Sequence, residues 1–392
     1  DSKADLSTFF MDLAENLVRA NGYWGMINLP GWLFLSSYDE LRSDLLEKSS
    51  ICSLLHLGRG LFGPDFGAVA FVIFSERFGS RRAGIFRRLF DRHVEVRSPE
   101  EIRARFFDQG DKIYWATPED FEMIPGTPIA YWVSAEFRNI FARIPAVSNK
   151  FAACQGLSTS SSPTFVRNWF EVEARRTSFP CDGEKSYSKK WFPYNKGGEF
   201  RKWSGNRNHV VDWEHDGARI KALKPKSVVR NEARYFQRSV SWSDVTSARS
   251  SFRIYDEGFI FANNAHSAFP ISDATEESLI AFLNSKLVDG IVNAISPGMH
   301  FDVGYFSKVP FQTLDVSLGI ERLIQEHKLD WDAYETSWDF TGFPLLDSDN
   351  RQPTLKATYQ KLRAHWREMT LEMRRLEEEN NRIFIAAYGL QD

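Results

Sequence analysis

A basic stretch rich in aromatic residues is the part of the sequence whose residue types best fit a binding chemistry. Between Lys185 and Arg238 stand fourteen basic and five acidic residues, so this segment carries +9 and the rest of a chain of net charge −3 carries −12. Lysine and arginine contact phosphates, while aromatic and asparagine side chains stack on bases or read their edges. The pattern favours a nucleic-acid partner, but a solvated basic face with its aromatic rings in the core fits it equally well. The candidate DNA-contacting residues are Lys189, Lys190, Tyr194, Asn195, Lys196, Arg201, Lys202, Trp203, Asn206, Arg207, Arg230 and Arg234.

The residue pattern does not indicate a metal site, a known catalytic motif, a disulfide framework or a membrane span. The eight histidines lack the HxxxH or HExxH spacing of a zinc site, so we predict no metal. No GxSxG or Walker motif occurs, and three distant cysteines indicate neither a disulfide framework nor a zinc knuckle. The cysteine usage is typical of a reducing cytoplasm. The longest apolar run, Ala68 to Phe74, is far shorter than the roughly 20 residues of a membrane span, and we predict none.

The elements that must position these residues change in type along the chain. The first 76 residues predict an α/β arrangement that ends in two antiparallel strands, Ile51 to Leu57 and Ala68 to Phe74. Mixed charge over 77–150 predicts a helical connector, and short β-type runs separated by turn clusters predict a β-rich domain over 151–312. A chain of 392 residues is long enough for several such domains.

The final segment, 313–392, predicts a long helix with a heptad seam. Its seam residues alternate steps of four and three, with one polar residue in register. Two interpretations remain open, a long helix packed on its own chain and a dimerising coiled coil. The seam residues are Leu355, Tyr359, Leu362, Trp366, Met369, Met373, Leu376, Asn380 and Ile383.

One long motif is specific enough to indicate a family. The stretch from Lys190 to Asn206, KWFPYNKGGEFRKWSGN, resembles the hallmark of the PglX family, the adenine-specific DNA methyltransferases of bacterial BREX phage-defence systems. Shorter similar stretches stand in the family's order, among them Phe165 to Val172 and Glu335 to Phe340. The resemblance covers essentially the whole chain.

The resemblance implies a fold and a division of labour. It makes residues 1–76 the second half of a Rossmann-like methyltransferase sheet and 151–312 a target recognition domain, joined by the connector and followed by the helical segment. Recognition loops at Gly156 to Ser162, Tyr187 to Arg207 and Arg230 to Arg238 would lie on double-stranded DNA. Phe62 occupies the place where related enzymes stack an aromatic ring on the flipped-out adenine, and Phe66 is its close rival.

The same resemblance shows what the sequence lacks. Methyltransferases of this kind bind S-adenosylmethionine at a glycine-rich loop and act through an Asn-Pro-Pro-Tyr motif, and neither occurs here. We therefore expect a C-terminal portion of a longer polypeptide, inactive alone, whose full-length form methylates adenine N6, uses S-adenosylmethionine and contacts other BREX proteins. A stand-alone DNA-binding specificity or scaffold module is the alternative, as is part of a type IIG restriction-modification enzyme.

Overall fold

The computed structural model describes residues 5–75, 81–92, 95–108, 112–179, 189–246, 249–298 and 300–391. The chain divides into two compact units. The first unit comprises Asp1–Ala146 with Gly290–Met299 and Lys308–Pro310, and the second comprises Val147–Asp289, His300–Ser307 and Phe311–Asp392. The fold is mixed α/β with several sheets, which confirms the predicted class at this coarse level.

A five-stranded sheet, in the order β1-β3-β2-β4-β5, forms the centre of the first unit. Strands β2 and β3 pair antiparallel, as the sequence predicts, and β2 pairs parallel with β4. A helix also begins the described chain, and the Asp5 carboxylate accepts from the Ser7 backbone N–H at its first turn. The elements are α1 (Leu6–Leu17), β1 (Tyr23–Asn28), α2 (Asp39–Lys48), β2 (Ser49–Gly60), β3 (Gly63–Ser75), β4 (Gly84–Arg88), α3 (Pro99–Phe107), β5 (Ile113–Ala116), α4 (Pro118–Glu122) and α5 (Ala135–Arg143).

The segment predicted as a helical connector contains helices α3, α4 and α5, but it also contributes two strands that the sequence did not predict. β4 and β5 extend the sheet beyond β2, and the first compact unit continues to Ala146 instead of ending near residue 76. The strands were missed because they are short and β4 ends in two arginines. The Arg87 guanidinium is accommodated there by donating to the carbonyl oxygens of Arg105 and Phe106, at 2.9 and 2.7 Å.

The two faces of this sheet differ in what covers them. On one face a row across all five strands, Met26, Phe71, Leu54, Phe86 and Tyr114, lies in the hydrophobic core of the unit. The neighbouring row points to the opposite face, because side chains alternate along a strand. That row is Gly25, Val72, Ser53, Ile85 and Trp115, and its three large apolar side chains are exposed.

The second unit contains the β-rich region that the sequence predicts over 151–312. Its two four-stranded sheets have the orders β11-β10-β13-β6 and β12-β8-β9-β7. The second sheet and the segments beside it enclose a core that includes Phe192, Tyr194, Val211 and Trp213. The elements from β6 onward are β6 (Phe151–Cys154), α6 (Ser162–Phe165), β7 (Val166–Asn168), β8 (Trp191–Asn195), β9 (His209–Asp212), α7 (Glu214–Lys221), β10 (Ser239–Ser243), β11 (Phe252–Tyr255), β12 (Ile260–Phe261), β13 (Ala265–Pro270), α8 (Glu276–Leu283), α9 (Lys286–Ile295), α10 (Val303–Ser307), α11 (Ser317–Asp332) and α12 (Leu355–Ala387). From Gly290 onward, α9 belongs to the first unit.

The predicted long helix is present as α12, and its C-terminal part packs on its own chain. Asn380, the polar residue of the seam, is buried, and its side-chain amide donates to the Ala281 carbonyl of α8 at 2.8 Å. Phe384, one turn further, is also buried, with its ring centroid 5.5 Å from that of Phe282. The helix clusters with the β-rich region in one compact unit, so residues 313–392 are not separate from it.

Among the described residues, no single helix is long and apolar enough to cross a membrane. The bent pair α8 and α9 meets the length and composition criteria only when its two helices are taken together.

Candidate nucleic-acid interface

The hallmark stretch begins on β8, and several of its predicted contact residues hold the second unit together. Tyr194 is buried and donates its hydroxyl to the Leu157 carbonyl at 3.2 Å. Asn195, also buried, donates to Ser241 Oγ at 2.6 Å and accepts from the Gly197 backbone N–H at 3.1 Å. Trp203 is fully buried, and its indole N–H donates to Glu377 at 2.7 Å. The side chains of these three residues face the protein interior.

Most cations of the stretch have internal partners. Arg201 bonds Asp330 at 2.9 Å and lies over the Trp331 ring, while Lys202 donates to the Asn284 carbonyl at 2.9 Å. Arg207 is buried and pairs with Asp256 at 2.9 Å. Burial raises the pKa of Asp256, but this guanidinium, together with Lys328 and Arg238, outweighs that effect and keeps the pKa below its ordinary value. These cations therefore neutralise carboxylates of this chain, and the +9 counted along the sequence overstates the charge presented to solvent.

Four further predicted contact residues, in or next to the hallmark stretch, are half-buried: Lys189, Lys190, Lys196 and Asn206. Lys189 donates to the Arg175 carbonyl, and Lys190 lies 3.5 Å from the Asp212 carboxylate. Asn206 donates to the Glu199 carbonyl at 2.9 Å. Lys196 stands just beyond β8, where its charge adds to burial in lowering the pKa of His209. Residues 187–188 of the predicted Tyr187 to Arg207 loop lie outside the described residues.

The predicted recognition loop Gly156 to Ser162 pairs with the segment that immediately precedes the predicted loop Arg230 to Arg238. The Ser158 backbone N–H donates to the Val228 carbonyl at 2.8 Å, and the Val228 N–H donates back to Ser158 at 2.9 Å. The Asn231 side chain also donates to the Gln155 carbonyl at 2.9 Å. We call the segment Gly156 to Ser162 together with Lys224 to Arg230 the paired-loop surface. Backbone hydrogen bonds hold its two segments in register, so side chains on one are fixed relative to the other.

The paired-loop surface carries three exposed cations that have no ion-pair partner among the described residues. Lys224, Lys226 and Arg230 are exposed, and none of them makes an ion pair with another described residue. Nearby Arg234 is half-buried over the Phe269 ring. The sequence-based site includes Arg230 and Arg234 but omits the two lysines. Their signal is the Lys224-Pro225-Lys226 turn, since proline between charged residues marks an exposed loop.

The first unit presents the predicted base-stacking residues at the tip of the β2–β3 hairpin. Gly60 and Gly63 pair across the tip, leaving Leu61 and Phe62 as the turn. Both glycines have positive φ, 114° and 112°, a conformation that glycine adopts without strain. Phe62 and Phe66 are 62% and 58% exposed, so both rings are open to a planar partner. Exposure alone does not distinguish between them.

Among the residues that the structure describes, no group of three or more His, Cys, Asp or Glu side chains is placed to hold a metal ion.

Comparison with known proteins gives the arrangement a family context. No protein-family model matches the chain. It is 32% identical over 413 aligned residues to the adenine-specific methyltransferase PglX of Lacticaseibacillus casei strain Zhang, covering the whole chain and 34% of that protein. It is 33% identical over 367 aligned residues to the adenine-specific methyltransferase BrxX of Escherichia coli O9:H4 strain HS, covering 92% of the chain and 29% of that protein.

The resemblance to the PglX family is thereby confirmed. The chain spans about a third of the length of the PglX and BrxX relatives. The similarity read from the hallmark stretch extends across both structural units.

Solved structures agree at the level of the fold. The type IIL restriction-modification enzyme MmeI, in complex with DNA, matches 98% of the chain and 49% of its own chain with a TM-score of 0.54 at 11% identity. A nuclease-deletion mutant of the type ISP enzyme LlaGI, in complex with a DNA substrate mimic, matches 90% of the chain and 33% of its own with a TM-score of 0.50 at 10% identity.

Proposed function

We propose that this chain supplies DNA target recognition and the base-stacking wall of a site-specific DNA N6-adenine methyltransferase of a BREX phage-defence system. The observation that carries the proposal is the 32–33% identity to PglX and BrxX over nearly all of the chain. The likeness of the fold to DNA-bound MmeI and LlaGI supports it. Such an enzyme acts where chromosomal and phage DNA lie, in the bacterial cytoplasm. Further BREX proteins are its proposed partners.

The first unit, in this proposal, is part of a Rossmann-like catalytic sheet. The order β1-β3-β2, with β3 antiparallel to both neighbours, fits the antiparallel end of a methyltransferase sheet. The exposed apolar face of the sheet also fits such a domain, because sheets that contain parallel pairs are usually covered on both sides. Phe62, on the exposed hairpin tip, would stack on the extruded adenine and offset part of the cost of unstacking it.

The second unit would read the DNA, chiefly through the paired-loop surface. Lys224, Lys226 and Arg230 are placed to contact phosphates, while the hydroxyl-rich loop Gly156 to Ser162 offers donors and acceptors to base edges. The buried hallmark residues then act indirectly, because Tyr194 fixes the first loop through the Leu157 carbonyl. Arg234 and Lys196 stay in the proposed interface as half-buried flanking cations.

S-adenosylmethionine supplies the methyl group in this enzyme class, but the residues of this chain do not make its site. The Asn-Pro-Pro-Tyr motif is absent from the sequence, and Gly58, Gly60 and Gly63 lie in the β2–β3 hairpin. The exposed aromatic rings at the hairpin tip can stack on a planar base. We therefore assign this chain no step of methyl transfer, only binding and positioning of DNA.

Methyl transfer from radiolabelled S-adenosylmethionine to adenine-containing duplexes tests the proposal directly. We expect label at adenine N6 with the full-length protein and none with this chain alone. A duplex methylated beforehand at the same adenine is the matched control. Failure of the full-length protein to label any adenine in unmethylated genomic DNA would contradict the function, and turnover by the chain alone would contradict its catalytic incompleteness.

A further inference from the structure

The N-terminal half of α12 leaves its heptad seam uncovered. Leu355, Tyr359 and Trp366 are 66%, 49% and 39% exposed, whereas Asn380 and Phe384 near the other end are buried. Residues four and seven apart share one side of a helix, so the three exposed side chains form a single stripe. Leu362, between them, is buried against the chain. In this half of the helix the chain therefore covers Leu362 and leaves the stripe of Leu355, Tyr359 and Trp366 exposed.

The stripe runs into a cleft of the second unit. The cleft has a volume of about 560 Å³ and lies between α12, the end of α11 and the segment that follows β8. Trp366, Met369 and Met373 of α12 line it together with Tyr334 and Phe200. Methionines and aromatic rings together make an adaptable apolar surface, and pockets of this size accept one large side chain as an anchor.

The charges beside the cleft disfavour a polyanion as its occupant. Arg201 is neutralised by Asp330 at 2.9 Å, and Lys202 lies 3.8 Å from Glu377. The two cations that line the cleft therefore offer little net positive charge to a phosphate. An apolar side chain fits its lining better.

The charges along the stripe are different and point to the kind of partner. Lys356, Arg363 and Arg367 each follow a seam residue by one position, so they form a cationic row about 100° round the helix from the seam. All three are exposed, none makes an ion pair with another described residue, and no acidic residue occurs from Leu355 to Arg367. In helix pairs the charges that flank the seam select the partner.

We propose that the exposed stripe, its cationic row and the cleft form a docking surface for an acidic amphipathic helix of another protein. Its apolar residues, at steps of three and four, lie along Leu355, Tyr359 and Trp366, and one of them enters the cleft. Its carboxylates face the cationic row. A second copy of this chain is a poorer occupant, because its own cationic row would repel the first and its more acidic C-terminal seam is already packed.

The probe is a synthetic peptide of about three heptads with leucine at the seam positions and glutamate beside them. We expect saturable one-to-one binding to the full chain, measured by fluorescence anisotropy at low salt. Trp366→Ala should weaken binding about tenfold or more, as expected for an anchor residue. Leu371→Ala is the matched control, since Leu371 is exposed on the same helix but outside the seam, and it should leave the affinity unchanged.

A peptide with lysine in place of glutamate tests the charge requirement. It should bind wild type at least tenfold more weakly, and the triple charge reversal Lys356→Glu, Arg363→Glu, Arg367→Glu should invert this preference. Absence of binding by the acidic peptide, or equal loss in the Leu371 and Trp366 variants, would overturn the proposal. Dimerisation of the chain that Trp366→Ala abolishes would assign the surface to a second copy, and displacement of the peptide by duplex DNA would assign it to nucleic acid.

Discussion

Arg207 and Arg230 are both DNA contacts in the sequence-based site, but their surroundings differ. Arg207 is buried between Asp256 and the Ile254 carbonyl, whereas Arg230 is exposed. Arg207→Ala should lower the free energy of unfolding by about 2 kcal/mol, since it removes charge-assisted hydrogen bonds to a half-exposed, screened carboxylate. Arg230→Ala should leave stability unchanged. Urea unfolding without DNA measures both, and equal stability of the two variants would contradict the structural role of Arg207.

The same pair predicts a pH dependence with a definite sign. The pKa of Asp256 is below its ordinary value in the folded chain, because Arg207, together with Lys328 and Arg238, outweighs the effect of burial. The pair therefore stabilises the chain fully above the unfolded carboxyl pKa of about 3.9, and this stability is lost as pH falls through the lower folded value. The gap in unfolding free energy between wild type and Arg207→Ala should shrink below about pH 4. A gap that stays constant to pH 3 would exclude Asp256 as the partner.

Phe62 and Phe66 are equally available in the structure, so only their effects on catalysis can separate them. In the full-length enzyme, Phe62→Ala should slow single-turnover methyl transfer about tenfold or more, since stacking on a base is worth about 1–3 kcal/mol. DNA affinity should change little, and Phe62→Trp should retain most of the rate. Phe66→Ala is the control, and a larger defect there would assign the stacking role to Phe66.

At the scale of elements, two adjacent residues of β3 point to opposite faces of the sheet, one covered by the core and the other exposed. Ile73 is fully buried in the core, and Val72 is exposed on the uncovered face of the sheet. Threonine keeps the β-branched shape and strand preference of both residues, but Val72→Thr replaces a methyl group with a hydroxyl and Ile73→Thr replaces an ethyl group with one. Ile73→Thr should cost about 2 kcal/mol or more, because the hydroxyl is buried in an apolar core. Val72→Thr should leave the melting temperature nearly unchanged and reduce binding of an apolar dye. Similar melting temperatures for the two variants would contradict the one-sided burial.

The elements that the sequence predicts correctly are those whose pattern is long and regular. Strands β2 and β3 extend over twelve and thirteen residues, and α12 extends over 33, so each pattern repeats many times. β4 and β5 have five and four residues, and the arginines of β4 hide its β pattern. Their place in the sheet depends on pairing with β2, which lies distant in sequence. Local patterning therefore cannot supply it.

For the candidate site, the sequence identifies the right region but not the side chains that reach solvent. Residue types marked the aromatic and basic hallmark, yet Tyr194 and Trp203 lie inside the protein. Whether a cation is free depends on carboxylates contributed from elsewhere in the chain. Asp256, Asp330 and Glu377 all lie outside the basic segment, and no count within that segment reveals them.

At the scale of the whole molecule, the positive charge of the basic segment reaches solvent at fewer side chains than the sequence suggests. Because ion pairs with carboxylates neutralise many of its other cations, the exposed and unpaired cations of the described basic segment lie on the paired-loop surface. That surface should therefore dominate the electrostatic attraction to DNA. Attraction of this kind is measured by salt, because each phosphate contact releases counterions and contributes about −0.9 to the slope of log affinity against log salt. The slope therefore counts the cations that contact DNA.

Two triple variants that lose the same charge test which of these cations contact DNA. Lys224→Ala, Lys226→Ala, Arg230→Ala should flatten the salt slope of duplex binding by up to about 3, one step for each lost contact. Arg201→Ala, Lys202→Ala, Arg207→Ala removes cations that are already paired, so its slope should stay near wild type even where stability falls. Because net charge changes equally in both variants, long-range attraction alone predicts equal flattening. Equal slopes would therefore refute a local contact by the paired-loop surface, and flattening only in the second variant would move the DNA to the hallmark stretch.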